Sequence, residues 1–524
     1  MAWTAEFVED DGAGGYNVIP QPDWLTAFTA SGSGSISDSS FSAAVAAQTA
    51  VTSNPHNETL RKAEPVSGIY DLSTKGGTTA MNTANCYVIN APGKYSLPLV
   101  YGNAVKNGST NASAYTSQAS GTYVLKTFVN HLDAPITDPY IYNNADCTPN
   151  NAILVWQDEP DLVTNVALAP DGHSLTFEVG SSTIRQGNAI VAVRDASNRI
   201  MWSWHIWVTD FVPGLPPTVT PHYNPAEMQR DKVVTSNRGL KYTFMGVNIG
   251  WCDGGITTYD ARSVKVRFKQ TKTGATQIIT IAQDAGETKE CGNCSYFQFG
   301  RKDPMLGGIL TTSWPPDPKS CYSDSGYAFD KSGTGKVSIG TAIQNPHVCY
   351  DRGPNYPWDW CSTSYYNYWS ADNIETTAYD KEVVKTIYDP SPVGYHLPPP
   401  DAFTGFTYSG LTTKEPSEGD SYFGSQFNSP YTSSNDVGLN YGWTVYCNKM
   451  TGIGNYDTSG GVIFIPGMSM LNSSYSGIGR FGFYWAAVGY SRDSGLSMNY
   501  GPDGFELLYP SVRHNGLTVR PVRE

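Results

Sequence analysis

SVRHNGLTVRPVRE, residues 511–524, decides how this chain is read. Valines and a leucine alternate around one Asn-Gly, and three arginines are packed among them in a sequence only 15% charged. Apolar residues at a period of two mark a half-buried strand rather than a frayed tail. The terminus reads as the inside of a domain.

The rest of the composition agrees with strands. The chain has 524 residues, more than one hydrophobic core accommodates, so several domains are expected. Hydrophobic residues make up 40%, skewed toward Tyr (34), Phe (19) and Trp (13), while 52 Gly and 34 Pro punctuate the chain. That mixture favours many short strands joined by turns. The formal net charge is −13 with no run of Lys or Arg to follow a phosphate backbone, so nucleic acid is not an expected partner. No window approaches the ~18 apolar residues of a membrane span. The start, MAWTAEFVEDDGAGGYN, is no signal peptide, so an exported form would have lost its signal before this point.

Two hairpins stand out upstream. AIVAVRDASNRIMWSWHIWVTDF (189–211) reads as two strands joined at 195–198, the second apolar on both faces, which makes His205 an interior histidine. SLTFEVG (174–180) puts Leu175, Phe177 and Val179 on one face. FVPGLPPTVTP (211–221), with four prolines, reads as a linker that few contacts should cross. Beyond it, ARSVKVRFKQTKTGATQIITIAQ (261–283) is a hairpin with Val264, Val266 and Phe268 on one face and Lys265, Arg267 and Lys269 on a solvated one. From 296 to 370 the chain reads as long aromatic loops.

Familiar catalytic signatures are missing. There is no HExxH, GxSxG, phosphate loop or EF-hand loop, and SGTGKVS (332–338) reads as a turn. No cofactor is expected, although SDSGYAFDKSG (323–333) offers calcium oxygen ligands without regular spacing. QPD (21–23) matches a triplet by which some C-type lectins hold calcium and galactose, without a partner triplet. Seven of nine cysteines lie beyond residue 250, which concentrates any bridging there. CGNC (291–294) reads as a local disulfide or as two cysteines with unrelated partners.

Four stretches in order resemble one family. GLKYTFMGVNIGW (239–251), YFQFGRKDPM (296–305), YDPSPVGYHLPPPDAFTGFT (388–407) and GRFGFYWAAVGYS…GLTVRPVRE (479–524) are similar to the Fibrobacter succinogenes major paralogous (FISUMP) domain, related to sulfatase-modifying-factor-like C-type lectin folds. Ser391 and Pro521 stand where members often carry cysteines, as loss of a single bridge predicts. The resemblance implies that the last strand pairs inside the central sheet. Val512, Leu517, Val519 and Val522 would then be core or ladder residues, with Arg513, Arg520 and Arg523 anchoring loops.

The expected fold class is mainly β with an α+β C-terminal domain. It comprises a partial module over 1–66 similar to BACON-type sandwiches, a β-sandwich over 67–215 and a C-type-lectin-like domain over 216–524. The middle region resembles β-sandwiches of Bacteroidetes surface and pilus proteins, which implies an outer-membrane-anchored or pilus-associated location at the cell surface.

The stretch 486–510 is rich in Tyr, Ser, Arg, Asp and Asn, the residue types of adaptable binding loops. Its position resembles the variable region of proteins diversified by retroelements. The expected ligand face is Tyr490, Arg492, Asp493, Tyr500, Asp503, Phe505, Glu506, Tyr509, Arg513 and His514. The function implied is a surface or pilus-tip adhesin, not an enzyme, binding a host or bacterial surface protein or glycan, with pilus subunits as further partners. The alternatives are a structural surface subunit and an enzyme related to formylglycine generation. For the latter the chain has only Cys447 after Cys361 to supply a reactive pair.

Overall fold

The computed structural model describes residues 2–35, 42–217, 219, 229–310, 317–324, 326–351, 358–372, 382–410, 426–431, 433–437, 439–472, 475–502 and 504–524. The protein is largely β-sheet, with many short sheets and, among the described residues, two short α-helices, Pro55–Lys62 and Ile339–Gln344. No helix of the described residues is long and apolar enough to cross a membrane.

The chain divides into two compact units, one of residues 1–54 with 255–290 and one of 55–254 with 291–524. The sequence reading draws its boundaries at 66 and 215 instead. In the first unit, Trp3–Asp10 is central, pairing with Tyr16–Ile19 on one side and with Arg262–Gln270 on the other. The expected hairpin forms as Arg262–Gln270 and Thr276–Gln283. Its apolar face packs Val264 and Val266 on Phe7 and Leu25. Its charged face is not simply solvated. Val8 pairs with Lys265 and Glu6 with Arg267 in the ladder, which brings Lys265 to 2.5 Å from Asp10 and Arg267 to 2.6 Å from Glu6. Such partly exposed pairs contribute about 0–1 kcal/mol each, so they select the register more than they stabilise it.

The second unit begins with two four-stranded sheets. Asn151–Gln157, Gly187–Arg194, Ile200–Val208 and Cys86–Ile89 form one; Thr164–Leu168, Ser174–Val179, Gly93–Pro98 and Ile69–Asp71 form the other. Ser174–Val179 alternates as expected, with Leu175, Phe177 and Val179 buried. Every residue of Ile200–Val208 is buried, because both faces of its sheet are covered. On one face Trp202 packs on Tyr101 and Tyr388, at 4.9 and 6.2 Å between ring centroids. On the other, Ile190, Ala192 and Ile200 pack with Leu306.

Tyr388 and Leu306 lie beyond the proline-rich stretch, so the expectation that few contacts cross 211–221 is not met. Asn85 Nδ2 donates to the carbonyls of Ile387 and Asp389 at 2.6 and 2.8 Å. The buried Lys302 ammonium donates to Ser203 Oγ at 2.6 Å. A sheet apolar on both faces needs a second cover, and the chain beyond residue 290 supplies it.

The C-terminus is interior. Val522–Arg523 pairs with Lys241–Phe244 and Tyr395–His396, and Gly516–Leu517 with Phe297–Gln298 and Met470–Leu471. Leu517, Val519 and Val522 are at most 1% exposed, whereas Val512 is only half-buried. The arginines are anchors. Arg520 Nε donates to the Met245 carbonyl at 2.7 Å and Nη1 to Asn248 Oδ1 at 3.2 Å, while Arg523 Nε meets Asp231 Oδ2 at 2.5 Å. All nine cysteines are free thiols, so the expected bridging beyond residue 250 is not found; Cys294 is buried beside Asn248 while Cys291 is half-buried.

Candidate functional site

The strands Gly482–Ser491, Ser494–Gly501 and Gly504–Val512 form a three-stranded antiparallel sheet. Successive rows of its register face opposite ways. In one row Gly482 lies opposite Tyr500 and Tyr500 opposite Phe505. This row faces inward: Tyr500 is 2% exposed and donates to the Ile465 carbonyl at 2.7 Å, and Phe505 packs on Trp443 at 4.7 Å. Glycine is needed at 482, since a Cβ there would stand 2.2 Å from the Tyr500 ring. The next row, Phe483, Asn499 and Glu506, faces the other way.

That outer face holds a groove of about 660 Å³. Phe481, Phe483 and Tyr509 are its rings, with ring centroids of the two phenylalanines 6.5 Å apart. Asn499, Glu506, Ser511 and Asn515 place amide, carboxylate and hydroxyl groups around them. A register shift between Ser497 and Asn499 leaves one extra residue on Gly504–Val512 and bends that strand, and Ser497 Oγ sits at the shift, 2.9 Å from Asn499 Oδ1, 3.0 Å from the Tyr509 carbonyl and 2.8 Å from Ser511 Oγ. The volume falls in the ~300–1,000 Å³ range of small-ligand sites, and rings with a few fixed polar groups are their usual lining.

The sequence-predicted face divides into three sets. Glu506 and Tyr509 belong to the groove, with Tyr509 42% exposed. Tyr490, Arg492 and Asp493 lie at the opposite end of the sheet, around the tight turn 491–494. There Tyr490 is 45% exposed, Arg492 lies 5.8 Å from the Tyr123 ring and Asp493 is 3.6 Å from Lys336. Tyr500, Phe505, Arg513 and His514 are buried and support the sheet, with Tyr500 also bordering the groove. The Arg513 guanidinium lies 4.9 Å from the Phe299 ring, and donates to the carbonyls of Tyr365 and Ser491 at 2.7 and 2.9 Å. His514 is 3.6 Å from Asp351 and stacks on Trp358. Asp503 lies outside the described residues. The nine described residues therefore do not form one surface.

Phe481, Phe483, Asn499 and Asn515 escaped the sequence reading. The signal was present in FGFY (481–484), where the two phenylalanines alternate with Gly482 and Tyr484 and so share a face. Other candidate chemistry is buried. Burial pushes the Cys361 thiol up to about 11 and the Cys447 thiol up to about 12. His205 is 2% exposed, and burial lowers its pKa to about 3; its Nε2 lies 2.9 Å from Asn188 Oδ1. No protein-family model matches the chain, and no curated protein matches it.

Proposed function

We propose that this protein is a cell-surface adhesin that holds its ligand in the groove on the Gly482–Val512 side of the fold. The observation that carries the reading is the pairing of three rings, the half-buried Phe481 and Phe483 and the exposed Tyr509, with Asn499, Glu506 and Asn515 in one groove. Rings supply area at low entropic cost and the amides and carboxylate fix orientation, as glycans and peptide loops both require. The FISUMP-like stretches support the same reading. They run through the strands that build the groove, and the interior C-terminus is what a C-type-lectin-like domain would require. The four-stranded sheets of 69–208 suit the surface β-sandwich module that the sequence resembles.

The exposed positions among the described residues of 486–510, Tyr490, Arg492, Tyr509 and Pro510, are where retroelement diversification could act without unfolding the sheet. Binding is favoured over copper-dependent thiol oxidation because Cys361 and Cys447 are buried and their thiolates disfavoured.

The test is a screen of the purified chain on arrays of bacterial and host glycans and on whole cells, repeated with Phe483→Ala/Tyr509→Ala. If both rings are hot spots worth ~2 kcal/mol each, binding falls by roughly a thousandfold in a chain that still unfolds cooperatively. Equal binding by the double variant would remove the groove from the reading. A chain that binds no array or cell surface would favour a structural subunit.

A further inference from the structure

A second cluster lies far from the groove in sequence. His56, in the first turn of Pro55–Lys62, stands with Asp210 and Asp253, their candidate donor atoms within 4.8 Å of one another. His56 Nδ1 is 3.1 and 2.9 Å from the two oxygens of Asp210. The Gln229 side-chain amide, by the atom placed as Nε2, is 3.2 Å from the same Nδ1 and 2.8 Å from Asp210 Oδ1. Asp253 Oδ2 lies 3.5 Å from His56 Nε2, and Trp251 Nε1 donates to Asp253 Oδ1 at 2.9 Å.

With Nδ1 protonated, the Asp210 carboxylate accepts from both His56 and the Gln229 amide. With Nδ1 unprotonated, its lone pair faces the carboxylate at 2.9 Å, and a cation between them satisfies both. Turning the Gln229 amide, whose O and N are interchangeable in placement, adds Oε1 to the same donor set. Ligands ~2.1 Å from an ion at right angles are separated by about 3 Å, the spacing these atoms already have.

We propose that His56 Nδ1, the Asp210 carboxylate and Gln229 Oε1 bind one divalent first-row cation, with Asp253 receiving the Nε2–H of His56 and fixing the ring. One imidazole nitrogen among oxygens suits Mn²⁺, Fe²⁺ or Zn²⁺. A carboxylate behind a ligating histidine sets its tautomer and raises its basicity. The site also has a structural consequence. His56 and Asp253 stand next to Pro55 and Gly254, where the second unit begins and breaks off, so the ion would tie those two ends together through Asp210.

The experiment titrates Mn²⁺ into the full chain, after chelator treatment and dialysis, and follows the free-ion electron paramagnetic resonance signal; manganese is chosen because free thiols compete poorly for it. One equivalent should bind at micromolar free metal. His56→Ala and Asp210→Asn should each weaken binding by about tenfold or more. Gln229→Glu, which replaces the amide oxygen with a carboxylate, should tighten it, an outcome that misfolding cannot imitate. Absence of binding by the wild type, binding unchanged in Asp210→Asn, or Gln229→Glu no tighter than wild type would each overturn the proposal.

Discussion

Replacing Arg520 with methionine tests why arginines are packed into an interior terminus. The guanidinium is 2% exposed and holds the turn after Lys241–Phe244 through the carbonyls of Met245 and Gly246 and through Asn248 Oδ1. Methionine fills much of the same space but donates nothing, leaving three buried acceptors short of a partner at about 1–3 kcal/mol each. Part of that loss is returned, since a buried cation costs several kcal/mol to desolvate. The net expectation for Arg520→Met is a loss of about 3 kcal/mol. With an m-value near 3 kcal/mol/M this lowers the urea midpoint by about 1 M. Tryptophan fluorescence should report it, because Trp251 is buried in the same turn and donates its backbone N–H to the Asn248 carbonyl. Arg520→Lys should recover less than half of the loss, because one ammonium cannot reproduce the fork. A midpoint for Arg520→Met equal to or above the wild type would refute the argument that these bonds outweigh the desolvation of the charge.

Two further expectations concern groups whose surroundings differ from those of their chemical kin. Burial holds the His205 pKa at about 3, below the ~6.5 of an unfolded chain, so its contribution is complete above about pH 6.5 and is lost as pH falls toward 3. His205→Gln keeps a donor toward Asn188 and does not titrate. Denaturation at pH 7 and pH 5 should show the wild type losing about 2 kcal/mol more than the variant, whereas parallel losses would mean that His205 is not the titrating group. Tyr500→Ala or Phe505→Ala should cost about 3–5 kcal/mol by emptying core volume. Tyr509→Ala should stay within about 0.5 kcal/mol, and thermal melts showing equal losses at all three positions would contradict the register.

What could be read in advance was local. The hairpins at 187–208 and 262–283 follow from alternation and turn residues, and both form. The apolar character of Ile200–Val208 on both faces was equally legible, and it implied a second cover that the proline-rich stretch concealed. Partnership at long range was not legible. Nothing in the period of Trp3–Asp10 says that it pairs with Arg262–Gln270, although its acids match the cations there. The site was half legible for the same reason. Residue type drew attention to 486–510, but Tyr500 and Tyr509 are the same residue, and only the register with Gly482 decides which enters the core.

The pairing of Trp3–Asp10 with Arg262–Gln270 also sets a timetable. Synthesis runs at about 5–20 residues per second, and roughly 250 residues separate the two strands, so the ribosome needs between roughly 12 and 50 s to deliver the partner. Through that interval the edge of Trp3–Asp10 that will receive Arg262–Gln270 has no native neighbour, and an unpaired edge recruits other chains. On a polysome, the neighbouring chains are nascent copies of the same protein carrying the same open strand. The composite first unit therefore makes the yield of folded protein depend on how closely ribosomes are spaced, a sensitivity that a unit closed within its own first residues would not have.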